Sequence, residues 1–251
     1  MQIFRFDCRL VEGNEKVYNV TAMISVKELK NIRGKCVLVR VDFNVPVEAG
    51  QVADDTRIKA ALPTIEFLIK KGGKVILMMH FGRPPAKRES GIRNQELGTI
   101  ASRLSELLKK KVRMIEKWDF EDIGRKVKGL KAGDILMLPN LRLHPGEEKN
   151  NAAFSKQLAA LGDLYVNEAF SASHRKHASL VGVPAFLPGY AGLQLMKEIE
   201  TPDRVLSKPA RPLIVLMGGG KIIDKMAMLS VMVKRADAVL LGGALATHFY
   251  K

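Results

Sequence analysis

Cys36-Val-Leu-Val-Arg-Val41 and Lys74-Val-Ile-Leu-Met-Met79 are two almost unbroken apolar runs, rich in β-branched residues. A strand that is apolar at nearly every position, rather than at every second one, has both faces covered. That is the situation of a parallel sheet sandwiched between helices. The stretch between the runs, Ala60 to Lys71, reads as a helix, with Pro63 tolerable only in its first turn. Working outward, Leu97, Ile100, Ala101, Leu104, Leu107 and Leu108 place a one-sided helix over Gln95 to Lys110. Strands follow at Val112–Ile115, Asp134–Leu138 and Asp163–Asn167, and a helix at Ala152–Leu161 precedes the last of them. This alternation predicts an α/β fold: a doubly wound, Rossmann-like parallel sheet with helices on both faces. In such sheets ligands sit beyond the carboxyl ends of the strands.

Asp42-Phe-Asn-Val-Pro46 comes after the first strand, with Arg57 at the helix entry beyond it. His80-Phe-Gly-Arg-Pro84 comes after the second, Asn140-Leu-Arg142 through Glu148 after the Asp134 strand, and Asn167-Glu-Ala-Phe170 leading to His174-Arg-Lys-His177 after the last. Four arginines (Arg57, Arg83, Arg142, Arg175) and three histidines (His80, His174, His177) are thereby brought to one edge of the sheet. A guanidinium binds carboxylate or phosphate through two parallel bonds, and Asp42 and Asn44 could hold a hydroxyl. The inferred ligand is a small molecule bearing phosphate, carboxylate and hydroxyl groups. Taken singly, each residue has a plainer reading: a surface charge, a cap, or an aspartate bonded to its own turn. Their recurrence at one edge favours function.

Gly192 to Leu206 reads as a further helix, and Ser207-Lys-Pro-Ala-Arg-Pro212 breaks the pattern. A strand at Leu213–Met217 then runs into Gly218-Gly-Gly-Lys221, with Lys225 one helical turn on, and a last strand lies at Ala238–Leu241. Glycine amides at a helix start suit a phosphate, although the spacing matches neither the nucleotide P-loop nor the Rossmann fingerprint. Two strands and part of a helix are too little to close a core. Residues 1–22 are poorly patterned, and Met23 is expected to be the natural start.

The net charge of +15 favours acidic partners. It is spread thinly, however, and only 6% of residues are aromatic, with no RNA-type stacking pattern, so nucleic acid is not the expected partner. No apolar run is long enough for a membrane helix, and no signal peptide is evident. Two cysteines without metal spacing point to a reducing cytoplasm.

The order and wording of these segments resemble phosphoglycerate kinase. The resemblance is carried by Val39-Arg-Val-Asp-Phe-Asn-Val-Pro46, Thr56-Arg-Ile-Lys-Ala-Ala61, His80-Phe-Gly-Arg-Pro84, Asn140 to Asn150, Tyr165-Val-Asn-Glu-Ala-Phe170, His174-Arg-Lys-His177, Gly218-Gly-Gly-Lys221 through Lys225, and Gly242-Gly-Ala-Leu245. It covers Met23 to the end. It implies transfer of an acyl phosphate from 1,3-bisphosphoglycerate to ADP, giving 3-phosphoglycerate and ATP in glycolysis, with Mg2+ accompanying the nucleotide. It also implies two α/β domains that close by a hinge, in an enzyme monomeric when intact, with no metal ligands in this chain. Carried over, Asp42, Phe43 and Asn44 would surround the glycerate, and His80, Phe81, Gly82, Arg83, Arg142, His174 and Arg175 its phosphate end. Arg57 would stabilise the phosphoryl group in flight, with Lys221 and Lys225 from the nucleotide side. Gly218, Gly219, Gly220, Gly242 and Gly243 would line the nucleotide. Pro139, Glu168, Ser171-Ala-Ser173, Gly220 and Ile223 depart from the family's usual Glu, Asp, Gly-Thr-Ala, Ala and Ser.

On this reading residues 23–191 form the phosphoglycerate-binding domain, 192–208 an interdomain helix and linker, and 209–251 the start of the nucleotide-binding domain. The adenine pocket and the magnesium-binding Asp of the family have no counterpart in the chain, so it is expected to be inactive alone. The alternative is a non-catalytic half that binds 3-phosphoglycerate and needs a complementary chain.

Overall fold

The computed structural model describes residues 6–10, 16–20, 24–82, 90–207, 209–219 and 223–249. The chain divides into two units, Met1–Lys197 and Glu198–Lys251.

In the first unit, β1 (Phe6–Leu10) and β2 (Lys16–Val20) pair antiparallel. Both strands lie within the stretch read as poorly patterned. Next come β3 (Cys36–Arg40), a small hairpin of β4 (Val47–Glu48) and β5 (Gln51–Val52), α1 (Thr56–Lys70), β6 (Lys74–Met78), α2 (Ser90–Leu108) and β7 (Val112–Met114). Then follow α3 (Phe120–Lys128), β8 (Ile135–Met137), α4 (Ala152–Ala159), β9 (Leu164–Asn167), β10 (Gly189–Ala191) and α5 (Leu193–Ser207), which spans the boundary between the units.

The sheet has six strands in the order β10-β9-β3-β6-β8-β7, and every neighbouring pair is parallel. Successive side chains of a strand point to opposite faces, and the unbroken apolar runs are divided accordingly. Val37, Val39, Val75, Leu77, Ile135 and Met137 enter one core with Ile58, Ile65 and Leu68 of α1 and Leu97, Ile100 and Leu104 of α2. Leu38, Ile76, Leu136 and Tyr165 enter the other, with Ile123 and Val127 of α3 and Phe154 and Leu158 of α4. The doubly wound expectation therefore holds. The chain moves outward from β3 through β6, then returns to lay β9 on the other flank of β3. Asp163 ties that flank down, accepting from the Cys36 amide at 2.7 Å while its own amide donates to the Cys36 carbonyl at 2.7 Å.

One expectation needs correction. The first helix begins at Thr56, not at Ala60, so Pro63 lies well inside it rather than in its first turn. Asp54 accepts from the Thr56 amide at 2.8 Å, and Lys59 donates to the Asp55 carbonyl at 2.9 Å, so a turn forms upstream of the expected start. That turn buries Ile58 completely on the stripe shared by Ile65 and Leu68, a gain of about 1.5–3 kcal/mol. Pro63 itself is exposed, on the side where the carbonyl it cannot pair can turn to water.

In the second unit, β11 (Ile214–Gly218) and β12 (Ala238–Gly242) pair in parallel, with α6 (Ile223–Val233) between them and α7 (Ala244–Thr247) after. Its small core is Met217, Leu229, Met232 and Leu245.

Candidate active site

The crevice lies where the strand order reverses, between the carboxyl ends of β3 and β9. Asp42, just past β3, accepts from Arg57 Nη1 through Oδ2 at 2.9 Å, and the Ser171 hydroxyl donates to the same oxygen. Its other oxygen, Oδ1, is buried and has no hydrogen-bond partner among the described residues. A buried acceptor left unmet is costly, which makes it a place for a donor from outside the protein.

Asn44 accepts the Gly82 amide at 2.9 Å. Asn140 holds the same loop from the β8 side. Its Oδ1 accepts the amides of Phe81 and Arg142, each at 3.1 Å, and its Nδ2 donates to the Phe81 carbonyl at 2.9 Å. The Arg142 guanidinium donates to the Gly82 carbonyl, and its Nε lies 3.4 Å from Glu148 Oε1. Trp118 braces the set through a 3.1 Å bond to the Asn140 carbonyl. Phe43 is wholly buried in the core and Phe81 nearly so, leaving mainly their backbone to the site.

His80 is buried, its imidazole pushed down to about 2 by loss of solvent and by the neighbouring charges of Arg40, Arg142, Arg175 and His177. His177 is lowered for the same first reason, despite Glu147 and Glu148. Arg175 is half-buried and close enough to influence Arg40, His80 and His177, whereas His174 is exposed. The structure thus brings His80, Arg142, Arg175 and His177 into one electropositive group, with Asp42, Asn44 and Arg57 beside it. Arg83 lies outside the described residues.

Several residues of this site escape a reading of the sequence. Arg40 is fully buried: Nη2 reaches His80 Nδ1 at 2.6 Å, Nη1 the Val41 carbonyl at 2.6 Å and Nε the Ser179 hydroxyl at 3.0 Å. Burial lowers its pKa, and the first opposing charge is Glu147. Glu147, also fully buried, accepts the Ser179 hydroxyl at 2.6 Å and the Ser179 amide at 3.0 Å. The one signal was a lone arginine closing an apolar strand.

Glu168 is buried as well. It accepts the Thr64 hydroxyl and the amides of Gln194 (3.1 Å) and Leu195 (3.2 Å), while Thr64 accepts the Leu193 amide at 2.8 Å. A carboxylate at the first amides of α5 meets their orphan donors and the positive end of the helix. Gly192 permits the approach, because a Cβ there would overlap the carboxylate.

In the second unit, Gly218 and Gly242 are register partners at the ends of β11 and β12. Gly219 (φ 129°) and Gly243 (φ 60°) follow them in backbone conformations that favour glycine. Lys225 bends back to donate to the Gly218 carbonyl. Gly220 and Lys221 lie outside the described residues. Two glycine turns side by side, with a lysine over one of them, form a surface that a phosphate can approach closely.

The family model for phosphoglycerate kinase matches residues 26–251. The phosphoglycerate kinase of Moorella thermoacetica is 46% identical over 230 residues, covering 92% of this chain and 58% of that protein. That of Coprothermobacter proteolyticus is 46% identical over 221 residues, covering 88% and 56%. Among solved structures, phosphoglycerate kinase from Pyrococcus horikoshii superposes with a TM-score of 0.77 at 34% identity, covering 90% of this chain and 57% of that one. The enzyme from Coxiella burnetii gives 0.76 at 32% identity, covering 91% and 56%. The chain spans a little over half the length of the curated relatives it matches.

Proposed function

Because the chain belongs to the phosphoglycerate kinase family, a family of phosphotransferases, we propose that its first unit binds 3-phosphoglycerate or 1,3-bisphosphoglycerate. The observation that carries this reading is the buried, unmet Oδ1 of Asp42 beside a cluster of arginines. A ligand with a hydroxyl for Asp42 and anionic groups for the guanidinium forks meets both needs at once. Asn44 and the Phe43 backbone flank the glycerate. His80, Arg83, Arg142, His174 and Arg175, with the Phe81–Gly82 backbone, take its phosphate end.

In the whole protein, the reaction breaks the bond between the acyl oxygen and the phosphorus of 1,3-bisphosphoglycerate. It forms a bond from that phosphorus to a terminal β-phosphate oxygen of ADP, leaving 3-phosphoglycerate and ATP. No proton must be removed by the protein, and no covalent enzyme intermediate is required. Arg57 spreads the charge of the phosphoryl group in transfer. Lys221 and Lys225, with Gly218, Gly219, Gly220, Gly242 and Gly243, hold the nucleotide's phosphates, with which Mg2+ would enter. The proposed setting is glycolysis in the cytoplasm, and no helix among the described residues is long and apolar enough to cross a membrane.

Ile214, Leu216 and Leu240 are exposed on the β11–β12 pair. The same exposure favours a second reading, a binding half that works with a complementary polypeptide. Measuring ATP formation before and after adding the remaining part of a relative's second domain separates the two. Calorimetric titration with 3-phosphoglycerate tests the site itself. Binding that an Arg57→Ala, Arg175→Ala double variant loses supports the reading, whereas no binding by a parent that circular dichroism shows to be folded overturns it.

A further inference from the structure

We propose that Arg40, anchored through Ser179 to Glu147, fixes His80 as the neutral imidazole with its proton on Nε2, so that the basic cluster offers one uncharged donor among its guanidinium cations. The argument is one of bond polarity. A guanidinium has five donors and no acceptor. At 2.6 Å from Arg40 Nη2, the Nδ1 of His80 must therefore supply a lone pair, and the ring proton is left to Nε2. Tautomers are ordinarily ambiguous because the partner can either give or take, and here it can only give.

Arg40 cannot swing away to release the ring. Its Nη1 is held by the Val41 carbonyl at 2.6 Å and its Nε by Ser179 Oγ at 3.0 Å. The Ser179 hydroxyl in turn donates to Glu147 at 2.6 Å, which leaves its lone pairs for Arg40. Every link runs in one direction, from guanidinium to hydroxyl to carboxylate. The buried Glu147 is the first charge that opposes the burial of Arg40. The charged and titratable groups that act most on His80 are Arg40 from β3, Arg142 from the segment after β8, and Arg175 and His177 from the segment after β9. None is a carboxylate that would favour an imidazolium. Only the use of the Nε2–H for a phosphate oxygen rests on the proposed function; the tautomer does not.

The test needs no ligand. In the 15N-labelled chain, correlations between ring nitrogens and ring carbon-bound protons distinguish the two tautomers and the imidazolium, with His80→Asn assigning the signals. The expected result is a single Nε2–H pattern for His80, unchanged from pH 5 to 8. An Nδ1–H pattern, or an imidazolium appearing within that range, overturns the proposal. Pairing Arg40→Met with Glu147→Gln removes both buried charges together. His80 should then mix its tautomers and take up its proton at a higher pH than in the parent, since one neighbouring cation is gone, while a circular dichroism spectrum matching the parent's reports an intact fold. A His80 that stays locked in that variant would show that Arg40 is not the cause. Should the double variant fail to fold, Ser179→Ala decides the anchoring: a tautomer population and midpoint identical to the parent's would refute it.

Discussion

Ile76 and Leu216 are each the third residue of a five-residue parallel strand, β6 and β11, yet Ile76 is fully buried and Leu216 is 77% exposed. In sequence the two strands are equally apolar. What differs is the number of layers. β6 lies between β3 and β8, with α1 and α2 packed on one face and α3 and α4 on the other. Among the described residues β11 pairs with β12 alone, and the inner stripe of Val215, Met217, Val239 and Leu241 is covered, whereas Ile214, Leu216 and Leu240 are not. Among the described residues, then, two equally apolar strands differ in burial according to how many layers pack against them. A patch of this kind invites association.

The contrast can be pressed by mutation, from large effects to small. Ile76→Ala should cost about 2–5 kcal/mol. The single tryptophan, Trp118, packs with Phe120, His144 and Phe154, so its fluorescence in a urea titration reports the first unit. A midpoint unchanged from the parent would mean that the two cores differ less than their burial indicates. Gly192→Ala should cost about 1–3 kcal/mol, the desolvation penalty of donors left unmet when Glu168 is displaced. Faster hydrogen exchange at the Gln194 and Leu195 amides is the specific sign, and protection equal to the parent's would count against the cap.

Acid should weaken the first unit selectively. His80 is held neutral when folded, with a value about 2, so the unfolded chain binds the extra proton as pH falls. The stabilisation is complete above about pH 6.5 and is lost below it at roughly 1.4 kcal/mol per pH unit, continuing toward the folded value. Urea midpoints from pH 7 to 5 should therefore decline, and less steeply in His80→Asn; parallel slopes would remove His80 as the source. Leu216→Ser, by contrast, should change stability by no more than about 0.5 kcal/mol while reducing self-association in sedimentation. A large loss of stability there would reveal that the face is covered in solution.

Much of this was legible in advance. The unbroken runs at residues 36–41 and 74–79 determine a covered parallel sheet, and residues after strand ends are where such a sheet places its chemistry. The rest was hidden for definite reasons. Arg40 sits within an apolar run, and its role depends on Glu147 and Ser179, which adjoin it only after folding. Pro63 argued for a shorter helix because local propensity takes no account of the burial of Ile58. Glu168 read as a departure from a familiar pattern, and its task as a cap emerges only when Thr64 and α5 come to it from either side.

The placement of β9 against β3 has a consequence in time. The Cys36–Asp163 contact that secures that flank joins residues 127 apart, so Asp42 and the segment of Ser171 and Arg175 are brought together late. At roughly 5–20 residues per second of synthesis, a nascent chain waits on the order of ten seconds between the emergence of one wall of the crevice and the other. Through that interval β3 and β6 can already pair, but the cavity has only one side. Its chemistry arrives late in the first unit's assembly, when β9 reaches the sheet and only β10 has still to join.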